Sequence, residues 1–236
     1  MKKLIIHIGV HKTGTTSFQR LLRANQKHMI ENNVRPIFEL DRNRARRFNL
    51  FDLSHLHLRA PLKTGARLRG QISELQEHEK AAFEDNFAKA VNTHPEDTLI
   101  ASAEVFCFMR EKTEKEKLAA FFAKLDRKVE FLLVLRDLTS WQQSWENQLQ
   151  KDPKVAPLLN SFPEEERINA DWYYDTESIL NFWQDLGKVH KFQYEDHDDI
   201  CEPLVNFLGF TMQELRDVER LNKRKNLDAP TDIQSR

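Results

Sequence analysis

Seven residues within nine positions, Gly9, Lys12, Thr13, Gly14, Thr15, Thr16 and Ser17, bring together small, hydroxyl-bearing and cationic side chains. They follow an apolar run, Leu4 to Val10, which reads as a buried strand bounded by glycines. Phe18, Leu21 and Leu22 then recur at helical spacing, so the sequence predicts a helix that opens at the Thr15-Thr16-Ser17 corner. Strand, glycine turn and helix start together form a phosphate-binding device. Unpaired backbone N–H groups and the positive end of the helix dipole converge there.

The spacing matches only part of the Walker A pattern G-x-x-x-x-G-K-[ST]. Gly9 and Gly14 fill both glycine positions and Thr16 the hydroxyl position, but Thr15 stands where the lysine belongs. The cation sits three residues earlier, at Lys12, and would reach the terminal group of a nucleotide from another side. That pattern fits an ATPase poorly.

A second group lies at the end of the most apolar run in the chain, Val129 to Leu135. Arg136 follows it, and Ser144 comes eight positions later inside a helical stretch marked by Trp141, Trp145 and Leu149. A guanidinium grips phosphate with two N–H donors, and a hydroxyl adds a third contact from another angle. Alternatively, Arg136 pairs with Asp137 and the serine bonds back to its own helix. A third polar position is Glu104, which ends the run Thr98 to Ala103; it is either a reactive carboxylate or one paired with a base such as Arg110.

These groups need a scaffold that gathers strand ends. The sequence predicts strands at 4–10, 37–40, 98–103, 129–135 and 189–194. The helices fall from the Thr-Thr corner to about Asn32, over 72–91, 118–125, 138–149 and 179–186, and over 204–208. Strands alternating with helices give an α/β fold, a three-layer sandwich around a central, mostly parallel sheet, in which ligands bind at the carboxyl ends of strands. No internal repeat or domain boundary stands out, so residues 1–236 read as a single domain. Segment 41–70 lacks periodicity and reads as a mobile basic insert or as short helices over the site. From Arg35 to Arg69 nine Lys/Arg stand against three Asp/Glu, a balance suited to an anionic partner or to a solvated basic face.

The loop Val10 to Ser17 resembles the 5′-phosphosulfate-binding loop of sulfotransferases that use 3′-phosphoadenosine 5′-phosphosulfate (PAPS). Arg136 with Ser144 resembles the 3′-phosphate signature of that family. The stretches SWQQSWENQLQK and DWYYDTESILNFWQDLGKVHKFQYED are similar to bacterial members. The resemblance covers most of the chain, is weak between Arg42 and Gly70, and lacks a glycine-rich C-terminal loop, since no glycine follows Gly209. It implies a P-loop NTPase-like fold and in-line transfer of a sulfuryl group from PAPS, without a metal, to a hydroxyl or amine. Lys12 would stabilise the leaving group with Thr13 to Ser17 as further donor contacts, and Glu104 would take the acceptor's proton, with His11 in reserve. Lys223 and Arg224, in the basic stretch Arg220 to Asn226, would cover the 3′-phosphate. The competing readings are a P-loop nucleotide kinase or NTPase, and a non-catalytic nucleotide- or glycan-binding relative.

Composition narrows the class further. A net charge of -1 gives no general attraction to nucleic acid. Cys107 and Cys201 lack metal-type spacing and read as reduced core thiols. The apolar run after Met1-Lys2-Lys3 is too short for a signal peptide, and nothing reaches the length of a membrane span. The expected protein is cytoplasmic, takes a small-molecule or glycan acceptor, and leaves its oligomeric state open.

Overall fold

In the computed structural model, which describes residues 2–40, 46–47, 50–72 and 75–215, with backbone only at 39, 40, 46 and 47, five strands form one parallel sheet. They are β1 (Lys3–Gly9), β2 (Val34–Pro36), β5 (Thr98–Ser102), β6 (Lys128–Leu135) and β7 (Lys188–Gln193), in the spatial order β2-β5-β1-β6-β7. Two short segments, β3 (Glu39–Leu40) and β4 (Arg46–Arg47), pair antiparallel outside the sheet. Register sets Ile6 beside Ala101 on one side and Phe131 on the other. Thus β1 is the central strand, and the chain order reverses on either side of it. That reversal is where open parallel sheets bind ligands.

Alternation along the strands builds two cores. Leu4, Ile6 and Ile8 of β1, with Phe131, Leu133 and Leu135 of β6, face one side. Ile5 of β1 and Leu132 and Val134 of β6 face the other. Side chains on a strand point to opposite faces in turn, so an apolar residue at every position demands cover on both faces. The first face is covered by α3 (Phe51–His57), α5 (Glu77–Thr93), α6 (Lys112–Phe122), α7 (Leu138–Gln150) and α9 (Thr176–Gln184). The second is covered by α1 (Thr15–Ala24), α2 (Gln26–Glu31) and α10 (Cys201–Phe207). Two further short helices, α4 (Gly65–Leu68) and α8 (Ala156–Leu159), lie in the connections. This is the three-layer α/β sandwich.

Four expectations change in detail, one of them the helix expected over 118–125, which spans Lys112–Phe122 because Glu111 and Glu114 form a capping box at its start. The first helix is not continuous to Asn32: it breaks at Asn25, whose side-chain amide donates to the Leu21 carbonyl at 2.9 Å, and α2 resumes beyond it. The helix expected from 72 begins at Glu77, because Gln76 and Glu79 form a capping box there. The edge strand falls at 34–36 rather than 37–40, pairing with β5. Within segment 41–70, the part from Leu50 onward is folded into α3 and α4, with Leu50, Leu53, Leu58 and Leu62 buried. No helix among the described residues is long and apolar enough to cross a membrane.

Candidate active site

Because the sheet is parallel, the carboxyl ends of β1, β5, β6 and β7 share one edge, which brings together the Gly9–Ser17 loop, Glu104, Arg136 and Glu195. A cavity of about 380 Å³ opens there. His11, Lys12, Gly14, Thr15 and Thr16 form one wall, and Glu104 stands among its other lining residues.

The loop owes its shape to two glycines. A Cβ on Gly9 would come within 2.5 Å of Thr15 Oγ1 and 2.8 Å of Thr13 Oγ1. Gly14 has φ 80°, in the left-handed region, and a Cβ there would meet Ile200 Cγ2 at 2.6 Å. Lys12 is also left-handed, with φ 71°, a strained conformation for a residue with a side chain. Gly14 leaves α1 without a side-chain cap, and no acidic residue sits in the first turn. The N–H groups of that turn therefore remain available to an anion.

The predicted residues take distinct places. Thr13 is buried and donates its hydroxyl to the Val10 carbonyl at 2.6 Å, so it stiffens the loop. Thr15 is buried, with its hydroxyl beside the Glu104 carboxyl. Thr16 is exposed to the cavity, and Ser17 is half-buried in the same turn. Lys12 Nζ donates to Gln148 Oε1 at 3.4 Å. Its pKa is lowered, first by burial and next by the positive charge of Lys151; Glu104 opposes the shift and Arg136 adds to it. Lys12, Lys151 and Arg136 thus form a group of cations that an anion would relieve.

Glu104 opens the turn Glu104–Phe108 after β5. Burial raises its carboxyl above the ordinary range, while the nearby Thr15 hydroxyl and the Lys12 ammonium pull it back down. The pairing with Arg110 does not occur: that guanidinium donates to the Cys107 and Met109 carbonyls. His11 packs on Trp145 with ring centroids 4.0 Å apart, and its Nδ1 shares a 2.6 Å hydrogen bond with the Tyr173 hydroxyl. Burial, and then Lys12, brings its pKa down to about 3, so it is neutral. Cys107, beside both, is pushed up to about 12 by burial and is an inert thiol.

Arg136 adjoins the loop directly, its Nη1 donating to the Lys12 carbonyl at 2.8 Å. It does not pair with Asp137, which caps α7 by accepting from the Ser140 N–H. Nor does Ser144 meet the guanidinium. Ser144 is half-buried one turn farther along α7, and Ser140 Oγ is the hydroxyl that accepts from Arg136 Nε, at 3.2 Å. Lys223 and Arg224 lie outside the described residues.

Sequence reasoning missed several participants. Gln148 and Lys151 belong to α7 and its end, and only the helix's placement over the loop brings them to Lys12. Tyr173 and Glu195 come from later turns. Beneath the loop, Ser102 Oγ accepts from Gln19 Nε2 and hydrogen-bonds His7 Nδ1, both at 3.0 Å. Burial takes His7 down to about 3, so this buried link is uncharged. The period-two strand signal hid His7 and Ser102, which sit at positions that read as core.

The cations of segment 59–69 have partners within the fold. Arg67 donates to the Arg59, Leu62 and Leu58 carbonyls at 2.6, 2.9 and 3.1 Å. Arg59 pairs with Glu114, Lys63 with Glu166, and Arg69 with Asp152. Of these four, only Arg69 lines the cavity. From Arg59 to Arg69 the expected basic surface is therefore largely internal bracing; Arg42 and Arg44, and the side chains of Arg46 and Arg47, lie outside the described residues.

No protein-family model and no curated protein matches the sequence. Among solved structures, the chain is similar to Chaetomium thermophilum Kti12 in complex with ADP-AlF3, with 12% identity, a TM-score of 0.41, and 87% of this chain and 97% of that one covered. It is similar to a tRNA delta(2)-isopentenylpyrophosphate transferase from Staphylococcus epidermidis, with 8% identity, TM-score 0.40 and coverage of 89% and 99%. It is likewise similar to a gluconokinase from Sinorhizobium meliloti, with 8% identity, TM-score 0.35 and coverage of 86% and 87%. Likenesses at these scores assign no activity, so the chemistry must be argued from the site.

Proposed function

We propose that this chain transfers a sulfuryl group from PAPS to a hydroxyl or amine of a small acceptor by in-line displacement. The observation that carries the reading is the shared cavity: the Lys12 loop, an uncapped helix start and a carboxylate with a raised pKa all line it. The donor's 5′ side fits the loop for three reasons found in this chain. Thr15 offers a buried hydroxyl beside the Glu104 carboxyl, Gly9 keeps the cradle clear of a Cβ, and Lys12 has two cations, Lys151 and Arg136, as neighbours. Arg136 lies beside the loop, where one nucleotide can reach both.

In this reading the acceptor oxygen attacks sulfur as its proton passes to the Glu104 carboxylate. The bond from sulfur to the bridging phosphate oxygen breaks, and the negative charge appearing on that oxygen meets Lys12 and the N–H groups of the α1 turn. Catalysis is then positioning plus fixed electrostatics. Glu104 is the base because its raised pKa suits proton acceptance better than that of His11, which is held low and bound at Nδ1. Apolar walls from Phe51, Phe108, Trp145 and Ile168 favour a compact acceptor over an extended glycan.

The second reading, a nucleotide kinase, is favoured by Gly9, Gly14 and Thr16 in Walker register. Against it, Thr15 replaces the lysine that would reach the β- and γ-phosphates. Calorimetry separates the two: tighter binding of 3′-phosphoadenosine 5′-phosphate than of magnesium-ATP is expected, and the reverse order favours the kinase.

A further inference from the structure

We infer that Glu195 is the positioning residue for Arg136, holding its guanidinium in the orientation that meets a phosphate; this rests on the sulfuryl-transfer reading of the same site. Arginine has a long stem, and fixing it sacrifices rotamer freedom. A guanidinium fixed before the ligand arrives has already met that penalty.

Three sides of Arg136 are already held. The Tyr194 ring covers its face, with the guanidinium carbon 4.9 Å from the ring centroid. Nη1 donates to the Lys12 carbonyl. On the third side, Nε donates to Ser140 Oγ, whose own proton is shared between the Asp137 carbonyl and Glu195 Oε1, both at 3.2 Å, and that carboxylate oxygen lies 3.5 Å from Nε itself. Glu195 is anchored independently, because its Oε2 accepts from the Asp137 N–H at 3.0 Å and from Gln193 Nε2 at 2.9 Å. A carboxylate with three hydrogen bonds and an ion pair is a fixture, not a place-holder waiting to be displaced. With these sides occupied, the Nη2 edge makes no hydrogen bond among the described residues. That edge is the one left for an incoming anion.

The test is calorimetry on the full chain with 3′-phosphoadenosine 5′-phosphate and with 5′-AMP, which lacks the 3′-phosphate. The wild type should prefer the bisphosphate. Glu195→Ala should shrink that preference about tenfold, the equivalent of one lost charge-assisted contact, with 5′-AMP affinity unchanged. Glu195→Gln, which keeps the shape and one acceptor oxygen, should fall between. A merely structural role would move both ligands together. If either variant folds and retains the full preference, or gains preference, the bracing role is overturned, the gain showing Glu195 to be a competing anion. A wild type that does not discriminate overturns the donor reading, and with it this inference, before any variant is made.

Discussion

Two cationic regions, each with one member lining the same cavity, behave in opposite ways. Arg59, Lys63, Arg67 and Arg69 are bound to carbonyls and carboxylates of the fold. Lys12 donates to a neutral amide at 3.4 Å, and its charged neighbours are two cations, Lys151 and Arg136, against one carboxylate, Glu104. The first region is richer in charge along the chain, yet the second has the greater need of an anion. Counting basic residues measures charge, whereas binding depends on charge left unmatched after folding.

The largest effect is expected at Glu104→Gln, which should lower turnover by about 10²–10⁴-fold while donor affinity is retained in calorimetry. Turnover of the wild type should rise with pH as Glu104 deprotonates, with a midpoint above that of an ordinary carboxylate, and this limb should vanish in the variant. The linkage sign is fixed by the same shift: a raised carboxyl pKa favours the fold below the unfolded-state value and loses that advantage as pH rises. Thermal unfolding near neutral pH should therefore show Glu104→Gln at least as stable as wild type.

Lys12→Ala should reduce turnover by about 10²–10³-fold, the usual effect of removing one group that meets developing charge. Transfer of labelled sulfate reads this directly, and undiminished transfer would remove Lys12 from the site. Gly14→Ala should destabilise the chain by about 1–3 kcal/mol in denaturant titration, because the left-handed backbone and Ile200 both resist a Cβ. Arg67→Ala sharpens the contrast from the other side. It should lower stability by about 1–3 kcal/mol through stranded carbonyls, yet leave donor affinity unaltered. A loss of donor affinity there would mean that the two regions are not separate.

Much of the frame was legible in the residues. Short continuous apolar runs gave β1, β5 and β6 to within a residue or two, since strands buried on both faces admit little else. The glycine loop was legible for the same kind of reason: spacing and residue type encode a local conformation, and Gly14 adopts it. Harder to read were the boundaries of α1 and α5, where side-chain caps at Asn25 and Gln76 compete with periodicity. The choice of Ser144 over Ser140 shows a different limit. Sequence spacing places both on α7, but which hydroxyl meets Arg136 depends on how the first turn of that helix leaves the strand.

By itself, then, the chain determined its layers, its parallel sheet and the turn at Gly9 to Ser17, because these follow from local propensity and burial pattern. Only the tertiary structure decided that Glu104 and Lys12 line one cavity, that Gln148 and Lys151 neighbour the same ammonium, and that Arg136 is held by Tyr194 and Glu195. The reason is distance along the chain. Contacts between strand tips and distant helices are set by sheet order and helix packing, and no short-range pattern carries that information.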